Sequence, residues 1–479
     1  MPKEEIIGMT VKKDENFSEW YTEVVQKAEL ADYAPIAGCI IFRPYSYEIW
    51  EYVQDYINKD IKARGHKNAY FPLFIPESFF KKEAEHAEGF APEVAWIAQS
   101  EDEKGQERYA LRPTSEAIMM DSYSKWVRSH RDLPILINQW CNVVRWETAV
   151  TKPFLRTREF LWQEGHTAHK DKQEAEQELK DSHEMYRKLV EEEMAIPVLN
   201  GVKSKGETFA GAQYTRALEA LMPDGRAVQM CTSHYFGNNF AKAFDIKFLN
   251  EKEQSEFAHT TSWGMSTRVI GAIIMVHGDD KGLILPPRMA PIQAVIVPIV
   301  FDKEKEKILK KASELKESLK NIRVQLDDRD TYKPGWKFHH WELKGVPVRI
   351  EIGPKDLEKK QVVLVRRDTG EKIFVKETEL NKKLPELLET IQKDLYKKAA
   401  KFMKESIRDA KDFKEFSKII EKQRGFVKMN WCGELKCEQE IKDKTTATVR
   451  IIAEKEKAAG KCPHCGKEAK HVAYFAKSY

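Results

Sequence analysis

Two arginines stand in settings suited to gripping a polyanion: Arg145 in Arg145-Trp146-Glu147, and Arg268 closing Trp263-Gly264-Met265-Ser266-Thr267-Arg268. Between them lie a basic cluster ending in an aromatic, Arg156-Thr157-Arg158-Glu159-Phe160, and the run Gln229-Met230-Cys231-Thr232-Ser233-His234. A planar guanidinium binds two oxygens at once and keeps its charge throughout a reaction, which suits it to phosphate. Activating a carboxylic acid with ATP needs no general base, because the carboxylate is already the nucleophile. What remains is to orient two anions and cancel their charge. On this reading Arg145 and Arg268 hold the α- and γ-phosphates, Glu147 and Gln229 place Mg2+, and Phe160 stacks on adenine. A lone Arg-x-Glu is more often a surface ion pair. Arg145, Arg156, Phe160 and Arg268 in this order form a much more specific signal.

A second chemistry gathers at the end of the chain. Of seven cysteines, Cys432, Cys437, Cys462 and Cys465 crowd the last fifty residues. Disulfides do not persist in a reducing cytosol, and two close thiolate pairs, one with Cys-x-x-Cys spacing, point to zinc. Four protein ligands leave no open position, so the role is structural. The wider first pair and the neighbouring His464 leave the ligand set open.

Several elements must position these groups. Tyr45, Ile49, Tyr52, Val53, Tyr56, Ile57 and Ile61 recur at helical spacing over 44–64, with Gly65 as the stop and a strand expected over 70–74. Residues 135–147 and 154–164 read as strands joined by a tight loop, which would put Arg145 and Arg156 on neighbouring strands. A helix is expected over 171–194. The run Pro286-Pro287-Arg288-Met289-Ala290-Pro291 marks a domain boundary. Beyond it strands and helices alternate to about 352 as in a compact α/β domain, and a helical region over 379–422 leads to the cysteines.

At 479 residues and 42% hydrophobic content the chain is long enough for two to four domains. Its net charge of +4 is too small for coating nucleic acid, so any RNA contact should be local. The longest apolar stretches, near 269–276 and 294–301, fall short of the roughly 18 residues that a spanning helix needs. A cytoplasmic protein without a membrane segment is expected.

The segments together resemble a class II aminoacyl-tRNA synthetase, with Gly65 to Pro72 as its first motif, Arg145 to Phe160 as its second and Gly264 to Arg268 as its third. Leu111-Arg112-Pro113-Thr114-Ser115-Glu116, Trp162-Gln163-Glu164-Gly165-His166 and Cys231-Thr232-Ser233-His234 resemble prolyl-tRNA synthetases of the archaeal and eukaryotic type. The resemblance implies an α/β multidomain architecture. An antiparallel-sheet catalytic core flanked by helices (1–286) would precede a mixed α/β anticodon-binding domain (287–400) and an α+β zinc-binding C-terminal domain (401–479). It implies that Thr114, Glu116 and Arg145 hold the imino and carboxylate groups of proline. Phe90, Trp162, Glu164, His166 and Phe209 would form the pocket around the ring, and His234 would contact the amino acid. Gln229, Thr232, Ser266, Arg156 and Thr157 would join Arg145, Glu147, Phe160 and Arg268 at ATP. These types fit, since a secondary ammonium wants an acidic acceptor and a saturated ring wants aromatic walls.

The same resemblance offers Glu342, Lys355, Arg366 and Arg367 as contacts for the anticodon of tRNA(Pro), each weighed against a solvated charged face. It implies a homodimer built partly on 44–74, and Tyr479 resembles the family's usual ending, which approaches the active site. Between Phe160 and Trp263 only one long helix and a few short elements are expected, leaving no room for an inserted editing domain. The alternatives are another enzyme of the same subgroup, such as a threonyl one with Cys231, His166 and His234 on a catalytic zinc, or a noncatalytic RNA-binding relative. The latter would have no chemical need for Arg145, Glu147, Gln229 and Arg268 together.

Overall fold

The computed structural model describes residues 8–86, 94–99, 105–146, 151–300 and 304–479. Helix Pro44–Ala63 begins with proline at its first turn, where no intrahelical N–H is needed, and buries Tyr45, Ile49, Trp50, Val53, Ile57 and Ile61 on one face. Tyr52 and Tyr56 flank that stripe, half-buried, and Trp50 takes the central place. Gly65 follows with φ +94°, a backbone state that glycine adopts without strain. The expected strand over 70–74 is instead split. Lys67–Asn68 pairs in parallel with the strand Ile135–Val144, and Phe74–Pro76 pairs with Tyr109–Leu111.

Among the described residues eleven strands form one sheet. From Lys67–Asn68 it runs through Ile135–Val144, Glu159–His169, His259–Ser266, Ala227–Gly237, Tyr214–Leu221 and Leu199–Val202. It then passes into the C-terminal strands Thr448–Ile452, His471–Ala476, Phe426–Trp431 and Ile407–Asp409. All neighbours are antiparallel except the pairs at the two edges. The two halves meet at one pair, Ile452 with Val202, where a Cβ on Gly201 would lie 2.5 Å from the Ile452 carbonyl oxygen. Glycine is what allows this approach. Helices Pro44–Ala63, Lys172–Lys188 and Arg268–His277 contribute to the large core beside the sheet.

The expected tight hairpin is absent. The strands end at Val144 and resume at Glu159, so Arg145 and Arg156 belong to a long connection, closed at its base by Arg145 N–H donating to Arg158 O (2.8 Å). A five-stranded mixed sheet follows: Val324–Leu326, Ala294–Pro298, Val348–Ile352, Gln361–Arg366, Lys372–Lys376. It has its own core with helices Lys305–Ser318 and Leu380–Glu405. The helical run expected over 379–422 is broken, because Ile407–Asp409 leaves the helix to pair with Phe426–Trp431 before helix Phe413–Lys418. Among the described residues no helix is long and apolar enough to cross a membrane.

Candidate active site

Three neighbouring strands make the floor of a cleft. Trp162 lies opposite Ser266, Glu164 opposite Gly264 and His166 opposite Ser262. Gly264 and Ser262 in turn lie opposite Thr232 and His234. Side chains alternate along a strand, so these positions share one face. The other face meets helix Lys172–Lys188, where Tyr186 donates to Gln163 Oε1 and its ring meets Trp263 edge-on. Gly165 is required there, since a Cβ would lie 2.2 Å from the Trp263 ring. The register shifts between Gln229 and Cys231. This bulge brings Gln229 onto the face of Thr232 and His234 and turns Cys231 into the core.

The cleft has a volume of about 210 Å3 and is lined by Thr114, Glu116, Arg145, Phe160, Trp162, Glu164, His166, Phe209, Gln229, Thr232, His234, Ser266 and Arg268. One end is acidic and aromatic. Glu116 accepts from Thr114 Oγ1 and from Ser262 Oγ (3.2 Å). Glu164 accepts from Ser115 Oγ (2.5 Å), Gln139 Nε2 (2.8 Å) and His166 Nε2 (2.9 Å). Burial alone would raise the Glu164 carboxyl, but these hydrogen bonds outweigh it and hold the group below its ordinary value. Burial also works against a charged His166, and the Glu164 and Glu116 carboxylates overcome it, pushing the imidazole above its ordinary value. His234 is pushed down to about 3 by burial, aided by His166, Arg145 and Lys203. Hydrogen-bonded to Thr215 Oγ1 (2.8 Å) and 4.8 Å from the Phe209 ring centroid, it is a neutral wall. Glu116 and Glu164 thus flank His166 at this end of the cleft.

The other end is cationic. The Arg145 guanidinium lies 5.4 Å from the Phe160 ring and 5.7 Å from the Trp162 ring, and its Nε donates to Pro113 O (3.2 Å). Arg268 Nε donates to Leu155 O (3.0 Å). Burial, and then repulsion from Arg145, push Arg268 down to about 10, with Glu219 opposing. This end of the cleft thus carries two guanidiniums.

Known proteins match this arrangement throughout the chain. Residues 98–277 match the tRNA synthetase class II core domain (G, H, P, S and T). Residues 293–387 match the anticodon binding domain, and 413–479 match the prolyl-tRNA synthetase C-terminal domain. A protein of Natranaerobius thermophilus named "Proline--tRNA ligase" is 52% identical over 99% of both chains. One of the same name from Oceanobacillus iheyensis is 53% identical over 97% of both. The chain belongs to the class II prolyl-tRNA synthetase family. These relatives come from bacteria, and the chain spans nearly their whole length.

Of the residues that the family resemblance assigns to the site, Phe90 and Glu147 lie outside the described residues. Arg156 is exposed on the 145–158 connection, and Thr157 is buried there, its hydroxyl donating to Glu159 O (2.6 Å); neither lines the cleft. Residues that the motifs do not single out complete the geometry. Ser115, Gln139 and Ser262 hold the carboxylates, Thr215 holds His234, and Glu207 joins the wall. Two-residue alternation from Gly264 would have found Ser262. Gln139 depends on cross-strand register, which no local pattern reveals.

The anticodon candidates divide. Lys355 is exposed and Glu342 partly so. Arg366 and Arg367 are each 7% exposed. Arg366 donates to Asp368 (3.0 and 2.7 Å) and Asp394 (2.9 Å), and Arg367 to Asp279 (2.9 and 2.6 Å) and Glu342 O (2.8 Å). The Arg366 donors thus bind carboxylates, and those of Arg367 bind Asp279 and a backbone carbonyl, tying the five-stranded sheet to residue 279.

The sulfurs of Cys432, Cys437, Cys462 and Cys465 all lie within 4.8 Å of one another, with Cys437 to Cys462 at 3.7 Å and Cys432 to Cys465 at 3.5 Å. Zinc–sulfur bonds of about 2.3 Å in a tetrahedron put sulfurs about 3.8 Å apart, so the set fits that ion. Lys444 Nζ lies 3.0 Å from His464 Nε2 and, as an ammonium, can only donate to it. His464 Nδ1 lies 3.4 Å from Cys437 Sγ and its Nε2 lies 3.7 Å from Glu440 Oε2, so the ring stands beside the four sulfurs within hydrogen-bonding reach. Among the described residues these cysteines are the only such group, and Cys231 does not converge with His166 and His234 on a metal.

Proposed function

We propose that the chain is a proline–tRNA ligase that converts proline and ATP to prolyl-adenylate and pyrophosphate, then passes the prolyl group to the 3′ end of tRNA(Pro). The observation that carries this reading is one cleft with an acidic, aromatic end and a two-arginine end. Thr114 and Glu116 bind the imino group, Arg145 the carboxylate, and Trp162, Glu164, His166, Phe209 and His234 enclose the ring, a role the family resemblance also gives to Phe90. Arg145 and Arg268 neutralise the phosphates. Phe160, Gln229, Thr232 and Ser266 position the nucleotide, with Arg156 and Thr157 joining from the 145–158 connection. Gln229 and Glu147 would hold Mg2+, which supplies charge neutralisation on the phosphates. The carboxylate attacks the α-phosphate and the pyrophosphate leaves, so the protein's task is orientation and a fixed field.

The same reading gives domains at 1–286, 287–400 and 401–479, with a structural Zn2+ on the four cysteines and Glu342 and Lys355 at the anticodon. The C-terminal cysteine domain favours the archaeal and eukaryotic architectural type, although the relatives above are bacterial. The absence of an editing insertion points the same way: every residue from 160 to 263 is described, and most belong to the central sheet, its helix and short adjoining elements. Purified protein should therefore not clear alanyl-tRNA rapidly. Tyr47, Tyr70 and Phe74 are exposed along the segment assigned to homodimerisation, apolar surface that a second copy would cover. Tyr479 donates to Asp224 Oδ2 (2.7 Å) and lies beneath Lys152 of the 145–158 connection, supporting a role for the chain end near the ATP side. The setting is cytoplasmic.

The test is charging of tRNA(Pro) with labelled proline by the purified protein. Proline charging in preference to threonine on its own tRNA supports the reading. Threonine charging favours the threonyl alternative, and tRNA binding without adenylate formation favours the noncatalytic one.

A further inference from the structure

The loop 203–209 forms one wall of the amino-acid end of the cleft, and the C-terminal domain grips it in several places. Ser204 Oγ donates to Glu438 Oε1 (2.5 Å), and Glu438 sits beside Cys437 on helix Leu435–Thr445. Gly206 faces the same carboxylate, and a Cβ there would lie 2.9 Å from Glu438 Oε2. From strand Thr448–Ile452, Arg450 reaches one carboxylate of the catalytic sheet and one of the loop. It binds Glu219 through Nε (3.1 Å) and Nη2 (2.7 Å), and its Nη1 lies 3.8 Å from Glu207. Glu219 is fully buried, is also bound by Lys203 Nζ (2.7 Å), and lies opposite Gln229.

The gripped turn leads straight to the pocket. Glu207 N–H donates to Ser204 Oγ (3.3 Å) and Thr208 Oγ1 to Ser204 O (2.7 Å). Phe209 N–H then donates to Thr215 Oγ1 (3.2 Å), the atom that holds His234. Ser204 thus receives the C-terminal carboxylate and also organises the turn that presents Glu207 and Phe209. We propose that Glu438 and Arg450 of the C-terminal domain are positioning residues for the amino-acid end of the cleft, acting through Ser204, Gly206, Glu207 and Glu219. The inference rests on the functional reading above. A domain distant in sequence sets where Phe209 stands against His234, and so how tightly the amino acid is held.

The full chain tests this through amino-acid-dependent ATP–pyrophosphate exchange, with the active fraction titrated. Glu438→Ala should raise the KM for proline about ten-fold, the loss of one charge-assisted hydrogen bond, while the KM for ATP stays within about two-fold. Ser204→Ala should do the same, and the double variant should be no worse than either single one. Arg450→Lys should retain a lower proline KM than Arg450→Met. Gly206→Ala, which keeps every gripping group but crowds Glu438, covers the case in which Glu438→Ala does not fold, and it too should raise the proline KM. An unchanged proline KM in Glu438→Ala or Gly206→Ala, additive effects in the double variant, or equal rises for proline and ATP would overturn the proposal. Absence of proline-dependent exchange in the unsubstituted protein would instead overturn the functional reading.

Discussion

Arg145 and Arg268 line a cleft, where burial and then Arg145 push Arg268 down to about 10, whereas Arg366 and Arg367 are embedded in carboxylates. The residue type is the same, and so is the degree of sequence conspicuousness. The first pair borders the space of the cleft, and the second is bound to carboxylates that hold the fold. An arginine therefore reads as functional by what faces its guanidinium, not by the company it keeps in the sequence.

The sharpest way to break this contrast is substitution of the cleft pair. Arg268→Ala or Arg145→Ala should lower proline-dependent exchange by about 10²–10³-fold, the usual scale for one preorganised charge, with the melting temperature close to the unsubstituted value. Calorimetry beside the exchange assay checks both halves. A third region extends the contrast, because four of its cysteine sulfurs converge with a spacing that fits zinc. A strong chelator should release one zinc per chain, make four thiols reactive, and speed hydrogen exchange over 413–479 while the five-stranded sheet stays protected.

Much of this was legible locally. The stripe from Tyr45 to Ile61 and the alternation from Ala294 to Ile352 rest on short-range pattern, and the structure forms those elements; of the motif residues, Arg145, Phe160, Trp162 and Arg268 line one cleft, whereas Arg156 and Thr157 do not. What escaped depends on distant partners. The connection carrying Arg145 and Arg156 is long because the strands stop at Val144 and Glu159, which composition did not reveal. Ile407–Asp409 looks helical until Phe426–Trp431 arrives to pair with it. Gln139 becomes part of the site only through the register that places it opposite Glu164, and Ser115 only through the approach of the start of helix Glu116–Trp126 to that carboxylate. The roles of Arg366 and Arg367 required knowing that Asp394 and Asp279 lie beside them.

The embedded pair gives the next effect in size. Arg367→Met and Arg366→Met should each cost about 2 kcal/mol in denaturant unfolding, because carboxylates lose their partner, and should leave tRNA-independent exchange nearly unchanged. A smaller effect concerns pH. Glu164 lies below its ordinary value of 4.5, so its stabilising share is present above that pH and is lost as pH falls through the lowered value. His166 lies above its ordinary value of 6.5, so its share is complete below pH 6.5 and is lost as pH rises through the raised value. The stability gap between the unsubstituted protein and His166→Gln should therefore be widest between these limits and narrow toward pH 9, as melting curves across that range would show.

The most direct test of the central claim is ATP–pyrophosphate exchange by the purified protein with proline, alanine, cysteine, threonine and serine in parallel. Exchange led by proline, and lost in both Arg145→Ala and Arg268→Ala, is the expected result. Exchange led by threonine, or none with any of the five, would contradict the account of the cleft.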